Sequence, residues 1–194
     1  YEPMFRAIKT DLFFPIDAPK TMWRERADRL ENFVLSFGIY GDRWFDSRRW
    51  VYKKYRGLEF YSKVQTDEEL SIQADIHAAR DILIQPIKNL ADALEECNTG
   101  KEIAIALYTF MESLQVYEKL QKLKEVEEES GQLLLATEHD QAWNEWVDVL
   151  DQFVLMFGEK EMSLGETMKI LDEGYDQLEF SRIPPSIDQV IVGN

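Results

Sequence analysis

Fourteen residues of this 194-residue chain concentrate chemistry that the rest of it lacks. Arg43–Trp44–Phe45–Asp46–Ser47–Arg48–Arg49–Trp50–Val51–Tyr52–Lys53–Lys54–Tyr55–Arg56 carries six cations and five aromatic rings. Cations neutralise phosphates, and aromatic rings stack on unpaired bases. The combination suits a surface for single-stranded nucleic acid, with Arg43, Arg48, Arg49, Trp50, Lys53, Lys54 and Arg56 as candidate contacts. A second reading fits the same composition. The aromatics would anchor a long loop to the protein body, and the cations would answer an acidic remainder.

Other familiar chemistries find no footing. No G-x-x-x-x-G-K-[ST] occurs to cradle a phosphate, and no G-x-G-x-x-G follows a strand. The two histidines, His77 and His139, lack the H-x-x-x-H or E-x-x-H spacing that aligns metal ligands on one helix face. Glu125, Glu127, Glu128 and Glu129 fan around a helix axis and read as a solvated face, not a cation site. Cys97 is alone, which excludes an internal disulfide and an all-cysteine cluster and fits a reducing cytoplasm. It also lacks a basic neighbour or helix start to lower its pKa.

Charge is unevenly spread. The formal net charge of −15 divides into +4 over residues 1–63 and −19 over residues 64–194. The acidic part should repel phosphate backbones, so a nucleic-acid contact belongs in the first third. No apolar run approaches the roughly 20 residues of a membrane-spanning helix.

The elements that must hold the 43–56 segment are mostly helices. YEPMFRAIKTDLFF places Met4, Phe5, Ile8 and Leu12 at helical spacing, which predicts a short helix over 1–14 before Pro15 and Pro19. Trp23, Ala27, Leu30, Phe33, Val34 and Phe37 predict a second helix over 20–37, stopped by Gly38. Residues 38–63 hold no helical period and read as a long ordered loop or ribbon, with Trp50–Val51–Tyr52 as a weak strand candidate. Thr66–Glu69, Thr99–Glu102 and Ser163–Glu166 have the capping-box form and mark three helix starts. Pro86 is expected to kink or split a helix over 67–97. Further helices are predicted over 100–114 (Ile103, Ala106, Leu107, Phe110 and Leu114 inward), 116–129, 133–157 and 164–180. The sum is a mainly all-α protein, a compact multi-helix bundle with one long ordered loop.

Val190–Ile191–Val192 reads as a buried strand with no partner in sight. Such an orphan strand, together with a start at Tyr1–Glu2–Pro3, suggests a piece excised where the polypeptide re-enters a sheet of a larger protein. An inserted domain of this kind should have its two termini close together.

Several blocks together resemble a known family. They are Phe5–Arg6–Ala7–Ile8–Lys9–Thr10–Asp11–Leu12–Phe13, Leu30–Glu31–Asn32–Phe33–Val34–Leu35, Gly38–Ile39 and Arg43–Trp44. The last block is Ile183–Pro184–Pro185–Ser186–Ile187–Asp188–Gln189–Val190–Ile191–Val192–Gly193–Asn194. These residues look like the AddB family, the B subunits of the AddAB ATP-dependent helicase/deoxyribonucleases of Gram-positive bacteria, related to RexB.

The resemblance implies a helicase-like protein with a decayed ATPase site and a C-terminal nuclease carrying an iron–sulfur cluster. With AddA it would process double-strand DNA ends for recombination and take part in recognising Chi sequences. Residues 1–186 would be the helical 2B-like subdomain, and 187–194 the strand returning to the parent domain. The family's nuclease carboxylates and cluster cysteines match no position here. The expectation is therefore no catalytic residue, metal or cofactor in this chain, with the iron–sulfur cluster, magnesium and ATP elsewhere in the complex. Expected partners are AddA, the remainder of AddB, and DNA as double-strand ends or single strands, with no membrane. Two roles remain open: a DNA-handling and subunit-packing module, or a purely structural helical interaction domain without DNA affinity of its own.

Overall fold

The computed structural model describes residues 2–54 and 64–176. Seven α-helices occupy these residues: α1 Glu2–Ile8, α2 Lys20–Phe37, α3 Asp67–Glu95, α4 Gly100–Ser113, α5 Val116–Glu129, α6 Leu133–Phe157 and α7 Leu164–Asp176. No strand occurs among the described residues, so the mainly all-α class holds. The expected strand at 187–194, the spacing of the termini and the candidate Arg56 lie outside the described residues.

All three capping boxes form. Thr66, Thr99 and Ser163 each receive the backbone N–H of the glutamate three residues on, at 3.3 Å. Each glutamate carboxylate in turn accepts the cap residue's N–H, at 2.8, 3.0 and 2.9 Å. The reciprocal bonds satisfy donors that a helix start otherwise leaves orphaned. Gly38 ends α2 in the left-handed region, at φ 58°, with its N–H on Val34 O. A Cβ would be strained there, which is why glycine suits the position.

Two expectations change. The first helix stops at Ile8, well short of residue 14. Thr10 donates its hydroxyl to Ala7 O, Asp11 turns to φ 64°, and Arg24 clamps the Asp11 carboxylate. The chain thereby doubles back and delivers Phe14 into the core against Trp23. The long helix also runs unbroken through Pro86. Proline forfeits a single ladder bond there. Ile82 and Ile84 before it and Ile87 after it all pack on the core, and that burial offsets the lost bond, so the helix is not split there.

The helices gather into two compact units, each with its own core. The first comprises Tyr1–Glu95 with Phe110–Gln115. Its core joins Phe5, Ile8 and Phe14 with the buried stripe of α2 (Trp23, Ala27, Leu30, Phe33, Val34) and that of α3 (Ile76, Ala79, Leu83, Ile84). Asp75 of α3 accepts from both Arg26 and Arg29 of α2. The second unit comprises Glu96–Thr109 with Val116–Asn194. There Ala104, Val149, Leu150, Phe153 and Leu171 form the centre. Gly100 opens α4 against the end of α6, where an added Cβ would stand 2.8 Å from Phe157 O.

Candidate nucleic-acid interface

The cation-rich segment belongs to the first unit, and its backbone is set by the polar face of α3. Glu69, Gln73, His77 and Arg80 follow one another at steps of four, four and three, so they share a helix face. Arg80 donates through Nε and Nη2 to Trp44 O, at 2.9 and 2.6 Å. His77 Nε2 lies 2.7 Å from Trp50 O. A carbonyl can only accept, so that nitrogen carries the proton. Gln73 Oε1 accepts the Tyr52 N–H at 2.9 Å, and Glu69 Oε1 accepts the Lys54 N–H at 2.9 Å. Gln65 closes the arrangement by donating to Tyr52 O at 2.8 Å.

The register has a geometric cause. Two residues of extended chain advance about 6.6 Å, and four residues of helix rise about 6 Å. Loop positions 50, 52 and 54 therefore meet helix positions 77, 73 and 69, running antiparallel. This explains the weak strand signal at Trp50–Val51–Tyr52. The segment is extended, yet its backbone bonds go to helix side chains and not to another strand. Before it, residues 38–50 fold into two 3₁₀ turns, Gly41–Trp44 and Ser47–Arg49.

The candidate residues separate into three groups. Trp50 is 1% exposed, its ring packed against Phe33 and Trp44 with Nε1 donating to Arg43 O. It cannot stack on a base without leaving the core. Extended chain alternates its side chains, and the face that carries Trp50 and the half-buried Tyr52 is the core face. Arg43 is half-buried and committed locally, donating to Gly38 O at 2.8 Å and lying over the Tyr40 ring.

Arg48, Arg49 and Lys54 are exposed, and Lys53 is half-buried. Arg48 is more open than Arg49, with 88% of its side chain accessible against 51%. Asp46 stands between the two arginines and accepts from Arg48 N and Nε, with Arg49 Nε at 3.5 Å. The bond from the Arg48 side chain, then the Arg48 N–H and the charge of both arginines, hold the Asp46 carboxyl below the usual carboxylate range. Asp46 thus stays ionised and offsets part of the positive charge.

Tyr40 and Phe45 are the exposed aromatics of this region. Phe45 sits beside the arginine pair in sequence, so a stacking platform would rest on it instead of on Trp50. Tyr40 precedes the cluster and carries no sequence signal beyond its type. Composition finds rings, but only burial decides which of them face solvent.

Among the described residues, no group of three His, Cys, Asp or Glu is placed to hold a metal ion. One cysteine falls short of the four thiolates an iron–sulfur cluster takes, so such a group does not fit this chain. Burial, with the charges of Glu102 and Glu96, pushes the Cys97 thiol upward, away from reactivity. No described helix is long and apolar enough to cross a membrane.

No family model matches the chain. Curated relatives match it end to end. The B subunit of the ATP-dependent helicase/deoxyribonuclease from Lysinibacillus sphaericus is 65% identical over 99% of this chain and 16% of its own length. Its namesake from Geobacillus kaustophilus is 46% identical over the same shares. That from Anoxybacillus flavithermus is 41% identical over 100% of this chain and 17% of its own length. The chain therefore spans about one sixth of the relatives it matches, 16–17%.

Proposed function

We propose that this chain is a non-catalytic helical segment of a helicase/deoxyribonuclease B subunit that processes DNA double-strand breaks for recombinational repair. It packs against the partner A subunit and the remainder of its own polypeptide, and it contributes a DNA contact through Arg48, Arg49, Lys53 and Lys54. The observation that carries this reading is the 65% identity along 99% of the chain to a relative so named. A 2B-like subdomain in a cytoplasmic complex goes with it. ATP, magnesium and an iron–sulfur cluster would be held elsewhere in that complex.

The DNA contact rests on a physical arrangement. The exposed groups of Arg48, Arg49 and Lys54 can neutralise phosphates whatever the sequence, and Phe45 adds one open ring for a base. The α3 side chains fix the backbone that presents these groups, so little loop ordering remains to be done on binding.

A second reading draws on two specific observations. Trp50 is occupied by the core, and Asp46 already answers Arg48 and Arg49. On this reading the segment is a structural strap, and the chain is a protein-interaction domain without DNA affinity of its own.

Fluorescence anisotropy with labelled single-stranded and forked DNA at two salt concentrations separates the two. The first reading expects binding that weakens steeply with salt and is lost when Arg48, Arg49, Lys53 and Lys54 are all replaced by alanine. Absence of binding at low salt would leave the strap.

A further inference from the structure

The turn of the helical hairpin made by α5 and α6 carries an exposed apolar group. α5 ends at Glu129, Ser130–Gly131–Gln132 turns the chain, and α6 starts at Leu133. Four aliphatic side chains crowd this end and face solvent. Val126 is 60% exposed, Leu133 65%, Leu134 56% and Leu135 40%. Single exposed aliphatics are ordinary, but four gathered on the two sides of one hairpin turn mark a contact surface.

The tip is rigid. Gly131 takes φ 79°, Gln132 N–H bonds to Glu127 O at 2.8 Å, and Ser130 N–H bonds to Val126 O at 3.0 Å. Ser130 Oγ donates to Glu127 O at 2.9 Å. Farther down the hairpin, Asp140 of α6 accepts from Gln121 and Lys124 of α5, joining the two helices. A preorganised tip loses little entropy when it docks.

Charge decides what can cover it. Residues 125–138 contain five glutamates and no lysine or arginine. Glu125, Glu127, Glu128 and Glu129 precede the leucines, and Glu138 follows them. An anionic membrane or a nucleic acid would be repelled by that collar. A second copy would bring the same collar, and like charges facing each other are costly. The complementary surface is a protein groove with an apolar floor and a lysine- or arginine-bearing rim.

We propose that the α5–α6 tip, through Val126, Leu133, Leu134 and Leu135 inside a glutamate collar, docks into a basic-rimmed apolar groove on a partner protein surface. The proposal rests on the packing role proposed above and gives that role a location. It is independent of the DNA contact, which lies in the other unit.

The test uses two fluorescein-labelled amphipathic helical peptides with the same leucine face, one flanked by lysines and one by glutamates. Anisotropy is read without DNA. The lysine-rimmed peptide should bind, weaken severalfold as salt rises, and lose about tenfold or more with Leu133→Ser/Leu134→Ser. The glutamate-rimmed peptide should not bind. A Glu127→Lys/Glu128→Lys variant should shift preference towards the glutamate-rimmed peptide, which keeps the test decisive if the serine variant misfolds. Equal binding of both peptides, or binding unchanged by both variants, would overturn the proposal. Self-association in sedimentation that Leu133→Ser/Leu134→Ser abolishes would overturn it too, in favour of a second copy.

Discussion

Arg80 joins two parts of one loop: its guanidinium holds the Trp44 carbonyl with two hydrogen bonds and lies 4.7 Å from the centre of the Trp50 ring. The side chain is 16% exposed, so little water can replace those bonds. Arg80→Ala would leave a buried carbonyl unpaired and an aromatic face uncovered. The expected loss is about 1.5–3 kcal/mol, the range for bonds to charged groups. Arg80→Lys should recover only part of it, because an ammonium cannot reproduce the planar fork. Urea unfolding followed by tryptophan emission measures both. Limited proteolysis of the Arg80→Ala protein should gain cleavage within residues 38–54.

Trp50 and its charged neighbours should behave oppositely. Trp50→Ala removes a ring packed on Phe33 and Trp44 and should cost about 3–5 kcal/mol in stability. Arg48→Ala/Arg49→Ala touches exposed groups and should leave the unfolding midpoint unchanged while reducing DNA binding. A Trp50→Ala protein with an unchanged midpoint would contradict its place in the core.

Gly100 is fixed by proximity instead of backbone freedom. A Cβ there would meet Phe157 O at 2.8 Å and the Phe153 ring at 3.1 Å. The Gly100 N–H also bonds to Lys160 O at 3.0 Å, so α4 cannot move away without losing that bond. Gly100→Ala should destabilise the second unit by about 1–3 kcal/mol, the ordinary cost of overpacking. Thermal unfolding of the variant measures it. Gly165, with open space around its Cβ position, provides the control: Gly165→Ala should not destabilise.

Acid should loosen two helix starts. Glu102 is held below the usual range first by the Asn98 N–H and then by that of Thr99. Glu166 is held below it by the Ser163 hydroxyl and N–H. A carboxyl with a folded pKa below its unfolded value contributes its full stability above the unfolded value, near 4.5. That contribution disappears as pH falls through the folded value. Urea midpoints measured from pH 6 down to pH 3 should therefore fall, and less steeply in Glu102→Gln/Glu166→Gln. An identical slope in the variant would show that the boxes do not carry the effect.

The helices were legible because their signals are local. Capping boxes at 66, 99 and 163 pair residues three apart, and Gly38 stops α2 through its own backbone angle. The stripe Trp23–Ala27–Leu30–Phe33–Val34 is a property of helical spacing alone. The end of α1 and the continuity of α3 were not local. Arg24 reaches Asp11 from another helix, and packing on both sides of Pro86 outweighs one lost hydrogen bond.

The candidate site divides along the same line. By itself the sequence determined where positive charge and rings concentrate, because composition is a sum over neighbours along the chain. Which ring faces a base and which fills the core depends on contacts between distant residues. The face of Trp50 was decided by the antiparallel match of residues 50–54 to the polar face of α3, through His77, Gln73 and Glu69. The exposure of Leu133, Leu134 and Leu135 was likewise decided by their place in the first turn of α6, at the hairpin end, where less of the protein packs on them. An apolar run in sequence does not say whether it is buried or offered.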